Sequence, residues 1–158
     1  MRGDSRRGSA MVEFALTFIV FLAMIFAMFD LAYVVFVRGT LHHAVREGVR
    51  YAITGRTIAG LGQDDSIKQV IRNNSMGLLS AAQLESLVHI DYYLPACSSG
   101  CETAVNGAGN IVVVAVDNYE VEPIGPLLRP AAPFVVSVAA VDKVEPLPGA
   151  PPPRTLTP

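Results

Sequence analysis

Between Phe14 and Phe29 the sequence carries no charged side chain, and this run limits what the chain can become. Asp30 interrupts it, and Leu31 to Val37 resume it. From Ala10 to Asp30 a helix rises roughly 30 Å, one hydrocarbon thickness. No Ala-x-Ala cleavage site follows; Arg38-Gly39-Thr40 does. The run therefore reads as a retained membrane span, with Glu13 near one face and Asp30 near the other. The hydrophobic fraction of 51% is concentrated here, which argues for one span and against a uniformly apolar globule.

The flanks set an expected orientation. Arg2, Arg6 and Arg7 precede the run, opposed only by Asp4. The positive-inside rule then places the N-terminus in the cytoplasm and the chain beyond the span outside. Arg38, Arg46 and Arg50 follow the run and weaken that bias without reversing it. The distal part, by contrast, is mildly acidic. It has no basic patch with interleaved aromatics, so nucleic acid is not an expected partner.

The helical pattern continues past the span. Leu41, Ala44, Val45, Gly48, Val49, Ala52 and Ile53 recur mostly three or four apart, while Arg38, His42, His43, Arg46, Glu47 and Arg50 fill the other face. Gly55 is a suitable stop. This predicts one helix of about 45 residues, roughly 65–70 Å long, whose outer stripe needs a packed partner. Thr57 to Gly62 reads as a loop. A helix is expected from about residue 65 to 75, and a short one after Ser80 as N-cap. Val88 to Leu94 alternates as a half-buried strand, and Ile111 to Val121 and Phe134 to Val144 read as two more. Pro123, Pro126, Pro130 and Pro133 make 123–133 a stiff connection. Residues 147–158 read as a Pro-rich disordered tail.

Three segments carry a family likeness: Arg7-Gly8-Ser9-Ala10-Met11-Val12-Glu13-Phe14-Ala15-Leu16, the apolar run with Asp30, and Ala44-Val45-Arg46-Glu47-Gly48-Val49-Arg50-Tyr51-Ala52. Together they resemble the TadE-like proteins, minor pseudopilins of the bacterial tight-adherence (Flp-type) pilus apparatus. The likeness covers the first third of the chain, and the Arg46, Glu47, Gly48, Arg50, Tyr51 block is its more specific half. It implies cleavage by a prepilin peptidase between Gly8 and Ser9, which makes Glu13 the fifth mature residue beside Phe14. Other pseudopilins, the major Flp-type pilin, the inner-membrane assembly platform and the lipid bilayer are the implied partners.

The residues themselves leave alternatives open. Glycine lets an extended backbone approach a peptidase closely. A freed amine on Ser9 could pair with Glu13 of a neighbouring subunit and set register. Equally, Glu13 could be a carboxylate snorkelling at the interface of an ordinary anchor. Asp30 could meet a basic group on a partner helix or mark the outer water boundary. Cys97 and Cys101 would close a small disulfide loop in an oxidising compartment. Their spacing suits neither a zinc site nor a redox motif. His43 and Glu47 lie one turn apart, but His42 points elsewhere, so the helix reads as a solvated face and no metal is expected. No phosphate loop or nucleophile elbow occurs, so neither an enzyme nor a cofactor is expected.

The expected fold is α+β and pilin-like: a leader (1–8), the transmembrane part of a long helix (9–37), its extramembrane continuation (38–55), and a periplasmic head (56–146). The head holds a short helix and a three-stranded antiparallel sheet, followed by the tail. The expected function is a minor pseudopilin in the bacterial inner membrane supporting pilus assembly; the alternative is an unprocessed single-pass envelope scaffold with a periplasmic interaction head.

Overall fold

The computed structural model describes residues 4–95, 101–103, 105–125, 132–146 and 149–155, with side chains from residue 8 onward. Helix α1 spans Asp4–Ile53, 50 residues. It begins earlier than the apolar pattern suggests, so the leader residues Arg6, Arg7 and Gly8 lie within it. It ends as expected: Gly55 sits at φ 60, and its N–H donates to the Ala52 carbonyl at 3.1 Å. A residue with a Cβ disfavours that left-handed conformation. Thr17 and Thr40 donate their hydroxyls to the carbonyls of Glu13 and Phe36 four residues back, at 2.9 and 3.0 Å. Both hydroxyls are therefore satisfied without water.

The chain divides into two compact units. One comprises Met1–Val35 and Val121–Phe134, and the other Phe36–Glu120 and Val135–Pro158. Residues 121–125 associate with the apolar part of α1, held by Asp30.

In the first unit the apolar side chains of α1 remain largely exposed. Phe14 is 69% exposed, Met24 69% and Phe29 66%. The helix from Gly8 to Ile53 is long and apolar enough to cross a membrane, with mean hydropathy 2.5. Only 6% of its most apolar window is buried, so it is not the core helix of a water-soluble domain. Such a helix is compatible with a single-pass anchor.

In the second unit the rest of α1 behaves oppositely. Val37, Leu41, Ala44, Val45, Val49 and Ala52 are buried, which bears out the expected stripe. Helix α2 (Gln63–Asn74) buries Ile67 and Ile71. Gly48 marks its closest approach to α1: a Cβ there would stand 2.6 Å from Ile71 Cγ1. Helix α3 (Ala81–Leu87) starts in a capping box, Ser80 accepting from the Gln83 N–H while the Gln83 side chain accepts from Ser80.

The sheet contains β1 (Val88–Tyr93), β2 (Glu102–Thr103), β3 (Ile111–Val121) and β4 (Phe134–Lys143), ordered β2-β1-β3-β4. Among the described residues it therefore has four strands, not three. The extra strand pairs antiparallel with Tyr92 and Tyr93 and lies inside what reads as loop. Two residues are too short to show a period. Strands β1 and β3 are antiparallel, with Ile90 opposite Val114. Val88, Ile90, Tyr92, Val112, Val114 and Val116 form a buried face. Asn118, at φ 56, breaks the alternation of β3, so the next buried residue is Val121.

Part of the expected Pro-rich tail, residues 149–155, lies against the start of α2. The Pro153 and Arg154 carbonyls accept the N–H groups of Gln63 and Asp64, both at 2.9 Å. Arg154 also donates to Asp64 Oδ2 at 2.9 Å and to the Ile90 carbonyl at 2.9 Å. Composition signals disorder only when a segment lacks partners, and this one has them. Leu147, Pro148 and residues 156–158 lie outside the described residues.

The contact at Gly48 yields a stability prediction. Gly48→Val should destabilise the second unit by about 1–3 kcal/mol, because the new side chain must displace Ile71. Gly39→Ala, where a Cβ meets nothing within 4 Å, is the matched control and should not destabilise. Thermal unfolding in detergent measures both.

Candidate functional site

The residues singled out by sequence fall on α1 in three groups. Gly8, Ser9, Glu13 and Phe14 lie near its start. Ser9 and Glu13 are one helical turn apart, on the same side of the helix. Glu13 is exposed and makes no side-chain hydrogen bond or ion pair among the described residues. Phe14 stacks on Phe18 with ring centroids 5.7 Å apart. A Cβ at Gly8 would meet nothing within 4 Å, so packing does not require glycine there. A helix-interior glycine costs about 1 kcal/mol relative to alanine. Gly39 is equally open, so openness removes the packing explanation without assigning a role.

Asp30 forms the second group. It is 1% exposed, in the first unit. One carboxylate oxygen, Oδ1, accepts the N–H groups of Ile124 and Gly125, each at 2.8 Å. Two consecutive amides converging on one anion make a small nest. Against an apolar helix, water is not at hand to satisfy those amides, so a carboxylate from α1 does so. Gly125 is required by this fit: its Cβ would lie 2.6 Å from Asp30 Oδ2 and 3.4 Å from Phe26 Cβ. Oδ2 has no hydrogen-bond partner among the described residues. Within this chain Asp30 tethers the start of the Pro-rich connection. Gly125 was not legible as a functional residue in the sequence, because its partner is 95 positions away. Pro126 and Pro130 lie outside the described residues.

The third group is Arg46, Glu47, Gly48, Arg50 and Tyr51, and it splits by face. Gly48 is buried against α2. Arg46, Glu47 and Arg50 line a cleft of about 530 Å³ with His43 of α1 and Ala140 and Asp142 of β4. Arg46 and Arg50 are exposed and form no ion pair among the described residues. Tyr51 borders an adjoining hollow with Arg56 and Val70. The glycine is thus explained by packing, whereas the charged members present donors and an acceptor at the surface. Among the described residues no group of three or more His, Cys, Asp or Glu could hold a metal ion. Cys97 lies outside the described residues, so its pairing with Cys101 is not part of this geometry.

Comparison with known proteins places these groups in context. Residues 8–50 match the family described as TadE-like protein. The match is just over a quarter of the chain and covers the three groups on α1 except Tyr51, in agreement with the sequence likeness. No curated protein and no solved structure matches the chain.

The Asp30 tether can be tested by graded substitution. Asp30→Leu leaves the two buried amides without an acceptor and should cost about 1–3 kcal/mol. Asp30→Asn keeps an acceptor oxygen and should cost less. The comparison is read as thermal unfolding in detergent, with proteolytic cleavage around residues 121–125 as the local readout.

Proposed function

We propose that this chain is a membrane-anchored minor pseudopilin that supports assembly of a tight-adherence pilus. The observation that carries this reading is the match of residues 8–50 to TadE-like protein on a helix whose apolar surface is left exposed. In this reading a prepilin peptidase removes residues 1–8 and leaves the helix in place. The Ser9 amine is then freed beside hydrocarbon, where an uncompensated charge is costly. Glu13 of a neighbouring subunit neutralises it. Exposed residues such as Phe14 and Phe21 pack against neighbouring helices. Arg2, Arg6 and Arg7 hold the leader in the cytoplasm, and the second unit lies in the periplasm. There the Arg46, Glu47 and Arg50 surface meets a second pseudopilin or the assembly platform. The role is structural and not catalytic. The oxidising periplasm would also favour a bond between Cys97 and Cys101.

One observation favours a second reading, an unprocessed envelope scaffold. The Gly8–Ser9 bond lies inside α1 and not in an extended segment. A peptidase must unwind the first turns to reach it.

Gly8→Phe separates the two. A Cβ at Gly8 has no neighbour within 4 Å, so the substitution begins in open space. Under co-expression with a prepilin peptidase, intact mass should show loss of residues 1–8 from the unsubstituted chain and retention in the variant. A full-length chain in both would favour the scaffold. Glu13→Ala should insert normally and be cut, yet lower the number of surface pili; wild-type piliation counts against the assembly role of Glu13.

A further inference from the structure

The docked tail occupies a built groove. Its floor is the start of α2, which has no side-chain cap: Gly62 is the N-cap residue and offers none. The first amides of a helix lack intrahelical acceptors. Here the tail supplies them, through the Pro153 and Arg154 carbonyls. Gly62 permits the approach, since a Cβ there would lie 2.4 Å from the Arg154 carbonyl oxygen. Buried Asn106 donates to the Pro152 carbonyl at 2.8 Å and also to the side chain of buried Gln63. The guanidinium of Arg154 pairs with Asp64, donates to Ile90 O, and lies over the Tyr92 ring at 4.8 Å from its centroid. Burial raises the Asp64 carboxyl above its ordinary range, and Arg154 works against that shift. Asp64 Oδ1 and the Tyr92 hydroxyl are buried without hydrogen-bond partners among the described residues.

We propose that this groove is a peptide-recognition site for an extended Pro-Pro-Arg segment, and that it accepts the tail of a second copy of this chain as well as its own. Each contact reads a carbonyl or the arginine, and none depends on covalent continuity with the strand before it. That strand is pinned at Val144, which exchanges hydrogen bonds with Asn110 and Gly109 at 2.8 and 2.9 Å. The eight residues from Val144 to Pro152 reach at most roughly 26–29 Å when extended. Glu145, Pro146, Gly149, Ala150 and Pro151 on that path are exposed. A neighbour packed within that distance presents an identical groove. Exchange of an identical segment then links copies without any new interface chemistry. The covalent tether favours the chain's own tail at low density, and crowding of copies favours the neighbour's. The site stands whether or not the chain is processed or enters a pilus.

The test uses the full chain in detergent. Arg154→Ala removes the side-chain contacts of the chain's own tail and so weakens its hold on the groove, and a labelled synthetic peptide of residues 149–158 is added. Fluorescence anisotropy should show the peptide binding this variant more tightly than the wild type, whose groove is occupied. The same peptide with alanine for arginine should bind weaker by roughly tenfold or more, the scale of losing a charge-assisted pair. No binding, or equal binding by both peptides, overturns the site. For the second copy, Leu61→Cys and Thr155→Cys are placed on two differently tagged chains, since Thr155 lies against Gly62, the residue after Leu61. Reconstituted together at high density and treated with a flexible bis-maleimide, they should form the mixed crosslinked pair. Its absence, under conditions where a single chain carrying both cysteines is crosslinked internally, overturns exchange between copies. This arm leaves Arg154 intact, so it decides the matter even if Arg154→Ala loosens the fold.

Discussion

One uninterrupted helix has to satisfy two different surroundings. Up to Val35 its large apolar side chains stay exposed, which water penalises and hydrocarbon does not. From Val37 onward a narrow stripe is buried while charged residues cover the opposite face. The second unit exists to keep that stripe dry. The change of regime falls close to the boundary between the two units, at Val35 and Phe36.

The same requirement explains where polar groups go. In the first unit a returning segment brings two amides to α1, and Asp30 accepts both. In the second, a helix start without a cap takes carbonyls from the tail. Each is a backbone accounting problem solved by residues distant in sequence. Gly125 and Gly62 share this logic: each is needed because a carbonyl, carboxylate or amide has to come closer than a Cβ allows. Gly48 serves packing in the same way, admitting Ile71 instead of a polar group.

Features carried by local periodicity or capping chemistry were legible in the sequence. The stripe from Leu41 to Ala52, the Ser80 cap, the stop at Gly55 and the strands beginning at Val88, Ile111 and Phe134 all appear where pattern places them. What escaped was either too short or too distant. Strand β2 has two residues and no period. The Asp30–Gly125 contact joins positions with nothing between them to signal pairing. The tail docks largely through carbonyl oxygens, which every residue possesses, so its proline content suggested disorder. Of the candidate site, the residue identities were readable on α1, whereas the separation of Gly48 from Arg46 and Arg50 by face needed α2 in place.

The position of Gly8 inside α1 makes the timing of any cut a property of the helix end. Both partners of the Gly8–Ser9 peptide link lie within a helical segment, and terminal turns open far more often than central ones. A protease would then act only on the frayed population, so the rate would be set by how often the first turns come apart and not by recognition of glycine alone. The glycine, a poor helix former, raises that population at the very bond in question. The leader would in effect act as a clock whose rate the local sequence adjusts.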